Sequence, residues 1–346
     1  MKIIDLRSDT VTLPTPAMRE AMYRAEVGDD VFGEDPTVNR LEEMAAERMD
    51  KEAGLFVASG TMANLICLLT HCGRGDEFIL GHMAHTFLYE AGASAGLGGL
   101  HPRTVPNQPD GTLDLEDVEA AIRADNVHFP HTRLICLENT HNRCGGAALT
   151  VEYTNSLCEL AHSRHIAVHL DGARVFNAAI ALGVDVKELT RNVDSVAFCL
   201  SKGLSCPVGS LVCGSADFIA EARRNRKMVG GGMRQAGIIA AAGVVALEEM
   251  IDRLAEDHAN ARHLAEGLAE IAGLSIDLER VQTNMIYLDL LDEGLESDQF
   301  LARLREGGVK MLPTGPRRFR AVTHYGIEAR DIEQALAVVR QVMEGA

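Results

Sequence analysis

Short apolar runs alternate with helical patterns along this chain, and that alternation constrains the fold more than any other feature. The runs are Gly54–Ser59, Glu77–Leu80, Arg133–Leu137, Ile166–Leu170, Ser195–Leu200 and Gly209–Cys213. Apolar residues at helical spacing separate several of them, over Asn39–Arg48, from Gly60 through Leu69, and over Val151–His162. Continuous apolar strands between amphipathic helices predict an α/β fold with a mostly parallel sheet covered on both faces. Ligands of such sheets bind at the carboxyl ends of the strands. Two run ends therefore stand out: Asp171 closes one, and Lys202 follows another.

The stretch up to about Pro36 reads as an irregular arm. Beyond about Gly237 the pattern changes. Ala-rich helical sequence leads into a helix over His258–Ile271, an alternating strand over Asn284–Leu290, a helix over Gln299–Glu306, a strand at Arg320–Thr323 and a last helix over Asp331–Met343. This predicts a large α/β domain over 1–246 and a smaller α+β domain over 247–346.

The net charge of −17 argues against nucleic acid or an anionic membrane surface as a partner. The eight cysteines show no C-x-x-C spacing. They read as reduced structural residues of a cytoplasmic protein. No signal-peptide pattern and no span-length apolar run is visible.

A lysine at one strand end and a carboxylate at another is what pyridoxal phosphate chemistry needs. The lysine forms the Schiff base, and the carboxylate holds the pyridinium nitrogen protonated. Lys202 follows an apolar strand inside a small-residue setting, GLSCPVGS, which leaves room for a flat ring. Asp171 reads as the ring-nitrogen partner or as an N-cap. Arg174 reads as a contact to the ring or as a partner of Asp171. In SGTMAN, Gly60 and Thr61 open a helix after an apolar strand, which suits a phosphate; a plain capped turn has the same pattern. His85 can stack on a pyridine face or act as a base, and His141 is a second candidate base. His82 and His85 lack further metal-binding partners in sequence, so no metal is expected. Arg320 offers a guanidinium fork for an α-carboxylate, with Ser8 as a hydroxyl donor. Phosphate-loop, nucleophile-elbow and dinucleotide motifs are absent.

The strings IDLRSDTVT, EVGDDVFGEDP, SGTMAN, ENTHNR, HLDGARVFNA, CLSKGLSCPVGSL, RKMVGGGMRQAG, TNM and RAVTH occur in this order over nearly the whole chain. Together they resemble the threonine aldolase family of fold-type I pyridoxal phosphate enzymes. The resemblance implies retro-aldol cleavage of L-threonine or L-allo-threonine to glycine and an aldehyde. Another β-eliminating lyase or a racemase acting on a small amino acid is the alternative. It makes Lys202 the Schiff-base lysine, Asp171 the pyridine partner, Gly60 and Thr61 phosphate ligands, and His85 the stacked histidine. Arg174 would lie beside the ring, and Ser8 and Arg320 would clamp the carboxylate. Arg234 would approach the phosphate across a subunit boundary of a homotetramer built from catalytic dimers. One departure is Phe32, where the family usually has Tyr: the ring is kept and the hydroxyl is lost.

Overall fold

A computed structural model describes residues 2–345. After a short strand β1 (Ile4–Asp5), seven strands follow: β2 (Ala53–Val57), β3 (Glu77–Gly81), β4 (His101–Val105), β5 (Thr132–Glu138), β6 (Ala167–Asp171), β7 (Ser195–Cys199) and β8 (Ser210–Gly214). They form one sheet in the order β2-β8-β7-β6-β5-β3-β4. Only β8 runs against the rest, pairing antiparallel with both β2 and β7. Strands β3 to β7 pair in parallel.

Both faces of this sheet are covered, which is why its strands read as unbroken apolar runs. Phe56, Ile135 and Leu137 join the main core, while their neighbours Leu55 and Val57, or Leu134 and Cys136, join separate clusters. Strand β4 escapes the sequence reading because it is a polar edge strand in which only Val105 is buried. The eight cysteines are all buried and free. No helix among the described residues is long and apolar enough to cross a membrane.

The C-terminal region holds a four-stranded antiparallel sheet, with β9 (Leu274–Ser275), β10 (Met285–Leu290), β12 (Leu312–Pro313) and β13 (Arg318–Val322) in the order β12-β13-β10-β9. Strand β11 (Val309–Lys310) pairs in parallel with β1. Helices Leu254–Ala269, Ser297–Glu306 and Ala329–Glu344 cover this unit.

Two sequence expectations need correction. A boundary at residue 246 falls inside the helix Gly237–Glu249, whose Leu247, with Met250 and Leu254 after it, packs in the first core. The second core begins at Ala261 and also takes Ile4 and Leu6 from the N-terminal arm. The arm is not wholly irregular either. Pro16–Arg24 is a helix, with Pro16 in its first turn and the Thr15 hydroxyl accepting the Met18 N–H at 3.1 Å.

Candidate active site

Because β2, β3, β5, β6 and β7 point the same way, the segments that leave their carboxyl ends gather at one edge of the sheet. A pocket of about 460 Å³ opens there, lined by Ser8, His85, Arg174, Lys202, Tyr287 and Arg320, among others. Residues from the arm, the large sheet and the small sheet therefore meet in one cavity.

Lys202 lies just beyond β7 and is half-buried. Its backbone carbonyl accepts the Thr12 hydroxyl at 3.1 Å, which ties the arm to this loop. Asp171 ends β6 with 5% of its surface exposed. One carboxylate oxygen accepts the Ala173 N–H at 3.1 Å and the other accepts the Asn64 amide at 2.9 Å. It therefore caps its own turn and keeps its charge unpaired with any of the site's cations. Asn64 lies one turn into the helix Gly60–His71.

Gly60 and Thr61 begin that helix. Ser59 caps it by accepting the Met62 N–H at 3.2 Å. The N–H groups of Gly60 and Thr61 find no acceptor among the described residues. A Cβ on Gly60 would stand 2.9 Å from the Cys199 sulfur at the end of β7. A side chain is thus excluded where the helix start meets the strand that leads to Lys202.

Arg174 does not pair with Asp171. Its Nε and a terminal nitrogen donate to both oxygens of Asp9, at 2.7 and 2.6 Å. Burial alone would raise the Asp9 carboxyl, but the Arg174 guanidinium, together with the Lys202 and Arg320 cations, outweighs it and holds the group well below the usual carboxylate range.

Arg320 contrasts with Arg174. It is 7% exposed and donates only to neutral acceptors, the Asn142 side-chain oxygen at 2.6 Å and the Arg7 carbonyl at 3.1 Å. Its Nε has no partner among the described residues. Burial, with the nearby Arg174 cation, pushes its pKa down from the usual value. A buried guanidinium without a carboxylate beside it is a ready anion site. Tyr287 stands opposite Arg320 in the β10–β13 register. Ser8 lines the same pocket and caps a short turn, accepting from Thr10.

A family model described as beta-eliminating lyase matches residues 5–291. Low-specificity L-threonine aldolase 1 of Arabidopsis thaliana is 50% identical over 347 residues, covering 99% of this chain and 97% of that protein. The low specificity L-threonine aldolase of Escherichia coli (strain K12) is 47% identical over 335 residues, covering 97% and 98%. This chain belongs to the threonine aldolases of the beta-eliminating lyase family. The solved threonine aldolase of Leishmania major shares the fold, with a TM-score of 0.85 at 20% identity over 98% of this chain and 99% of that one. The expected fold-type I architecture is the one observed.

Of the expected site residues, Gly60, Thr61 and Asp171 lie outside the pocket lining, Asp171 within 4.8 Å of His85, and two more stand further apart in this threonine aldolase. His141 is 1% exposed, packs against Gly111 and lies 3.1 Å from the Asn107 amide. It does not line the pocket, because the loop after β5 turns its ring into the protein. Arg234 is exposed and pairs with Asp29 at 2.9 Å, outside the pocket of its own chain. Asp9, Asn64, Glu90 and Tyr287 were not anticipated. Asp9, Asn64 and Tyr287 gain their roles from partners distant in sequence; Glu90 meets His85 five residues before it, and Asn64 closes the string SGTMAN, so both had a nearby signal, as did Asp9 beside Ser8 in LRSDT.

Proposed function

We propose that this chain cleaves L-threonine and L-allo-threonine between Cα and Cβ with pyridoxal phosphate bound, giving glycine and acetaldehyde. The observation that carries this reading is the shared pocket of Lys202 and the buried Arg320, which has no anionic partner among the described residues.

The residues present fit that cofactor. Asp171 is a buried carboxylate contacted by neutral donors, suited to a protonated ring nitrogen. Gly60 and Thr61 offer free N–H groups at the positive end of a helix for the phosphate. Lys202 supplies the amine that anchors it. When bound, the cofactor supplies the electron sink for the pair released from the Cα–Cβ bond.

The protein does the rest. Arg320 and Ser8 hold the substrate carboxylate and so set which bond at Cα is aligned for cleavage. Arg174, locked by Asp9, keeps the arm that carries Ser8 against the pocket. His85, at the pocket wall, takes the β-hydroxyl proton as the aldehyde forms. The buried His141 leaves this role to His85. Equal molar release of glycine and acetaldehyde from either threonine isomer is expected from purified protein with added cofactor. Pyruvate or ketobutyrate from serine or threonine, without glycine, would move the reaction to elimination.

The active unit is a homo-oligomer, a homotetramer of two catalytic dimers, working in a reducing cytoplasm that suits eight free buried cysteines. The support is the exposure of large apolar side chains on two segments, Val31 and Phe32 on one and Met228 and Ile238 on the other, which are 37%, 73%, 69% and 50% exposed. The Asp30 N–H donates to the Arg234 carbonyl, joining the two segments. Large apolar side chains exposed on joined segments call for a cover. Sedimentation should give four times the chain mass of 37.4 kDa. A monomer of full activity would overturn this reading.

A further inference from the structure

A hydrogen-bonded chain leaves the pocket at His85 and runs under the sheet. His85 Nδ1 lies 3.0 Å from a Glu90 oxygen, and the Asn64 amide nitrogen donates to that same oxygen at 2.8 Å. The same amide nitrogen donates to Asp171 at 2.9 Å. Asn64 Oδ1 then meets His169 Nε2 at 3.1 Å, His169 Nδ1 meets the Ser195 hydroxyl at 2.9 Å, and that hydroxyl meets His71 Nε2 at 2.8 Å.

The proton positions follow from the chemistry of the ends. An amide between two carboxylates must present its NH₂ to them, so its oxygen faces His169 and that ring donates from Nε2. Ser195 then donates to His169 Nδ1 and accepts from His71. Burial pushes both histidines down to about 4, so they stay neutral in this arrangement. The Asn64 amide is thereby locked, and one N–H is fixed on each of Glu90 and Asp171. Burial raises the Glu90 pKa, and the His85 and Asn64 hydrogen bonds act against that; as a carboxylate, Glu90 meets His85 Nδ1 as an acceptor.

We propose that Glu90 is a positioning residue that holds the Nδ1–H of His85 and so presents its Nε2 lone pair to the β-hydroxyl proton. This rests on the reading of His85 as the base. Glu90 then plays toward His85 the part that the buried carboxylate plays in a Ser-His-Asp triad, fixing the tautomer and balancing the imidazolium as it forms. Three carboxylates face the ring: Glu90, Asp171 of β6, and Glu138 of β5, which accepts the His85 backbone N–H at 2.7 Å. Lys202, Arg174 and Arg320 face it across the pocket. The Glu90 hydrogen bond raises the His85 pKa against the effect of burial. The base form is therefore present above that raised pKa and is lost as pH falls through it.

The test is Glu90→Gln, read by ¹⁵N-histidine NMR of the cofactor-free protein and by the pH profile of kcat in the loaded enzyme. His85→Gln assigns the resonance. Wild type should show the Nδ1–H tautomer, and Glu90→Gln should lower the titration midpoint of the ring. The acid limb of kcat should move to lower pH and its plateau should drop about tenfold or more, with KM within about twofold. An Nε2–H tautomer in wild type, or an unmoved midpoint and acid limb in the variant, would overturn the proposal. If His85→Gln keeps full kcat, the base reading itself fails and takes this proposal with it. If His85→Gln is impaired and Glu90→Gln is normal, only the role of Glu90 fails.

Discussion

Lys202→Ala is expected to abolish aldol cleavage, with kcat reduced ~10⁴-fold or more, because no other lysine lines the pocket among the described residues. The visible absorbance of lysine-bound cofactor should vanish, while cofactor held only by non-covalent contacts should wash out on dialysis. Folding should be unaffected: Lys202 is half-buried, and the one contact it gives the Thr12 hydroxyl comes from its backbone. Thermal unfolding of the cofactor-free variant checks this. Turnover at the wild-type rate in Lys202→Ala would remove the basis of the proposed chemistry.

The second large effect is at Arg320. Arg320→Ala should lower kcat/KM about 100-fold or more, since a charge-assisted, partly desolvated contact to the substrate carboxylate is lost. KM should rise because ground-state binding suffers. kcat should fall too, because the same contact orients the bond to be broken. Arg320→Lys should recover charge but not the fork, and so only part of the activity. The Asn142 side chain and the Arg7 carbonyl lose a donor in Arg320→Ala, so a thermal unfolding measurement belongs beside the kinetics. An unchanged KM would move the carboxylate contact elsewhere, with Arg174 and Tyr287 the next groups in the pocket.

Much of this could be read from sequence because strand ends are marked twice. The apolar run shows the strand, and the polar residue that ends it shows the edge where ligands collect. Lys202 and Asp171 were legible in that way, as was the helix start at Gly60. What stayed hidden was decided by partners far along the chain. Arg174 could be placed near Asp171 by proximity in sequence, yet it binds Asp9, which only the folded arm brings to it. Asn64 ends the string SGTMAN, but its meaning comes from Asp171, 107 residues on; Glu90 stands only five residues after His85, and the contact between them shows only when both converge on Asn64. The Ala-rich stretch after Gly237 hid the domain division, because small apolar residues suit either core. Thr15-Pro16, by contrast, was a local helix-start signal that the irregular look of the arm concealed.

The pairing of Ile4 with Val309 has a consequence for synthesis. The first strand made must wait for nearly the last one before either has a neighbour. Until the ribosome has released the segment from Val309 through Val322, the arm is held from one side only, through Asp9 on Arg174 and Thr12 on Lys202; Ile4 and Leu6 lack their partners, and Arg320 has not yet been built. A nascent chain stalled before that point should hold a folded large sheet and no working catalytic centre. Premature turnover is thereby barred by chain order alone.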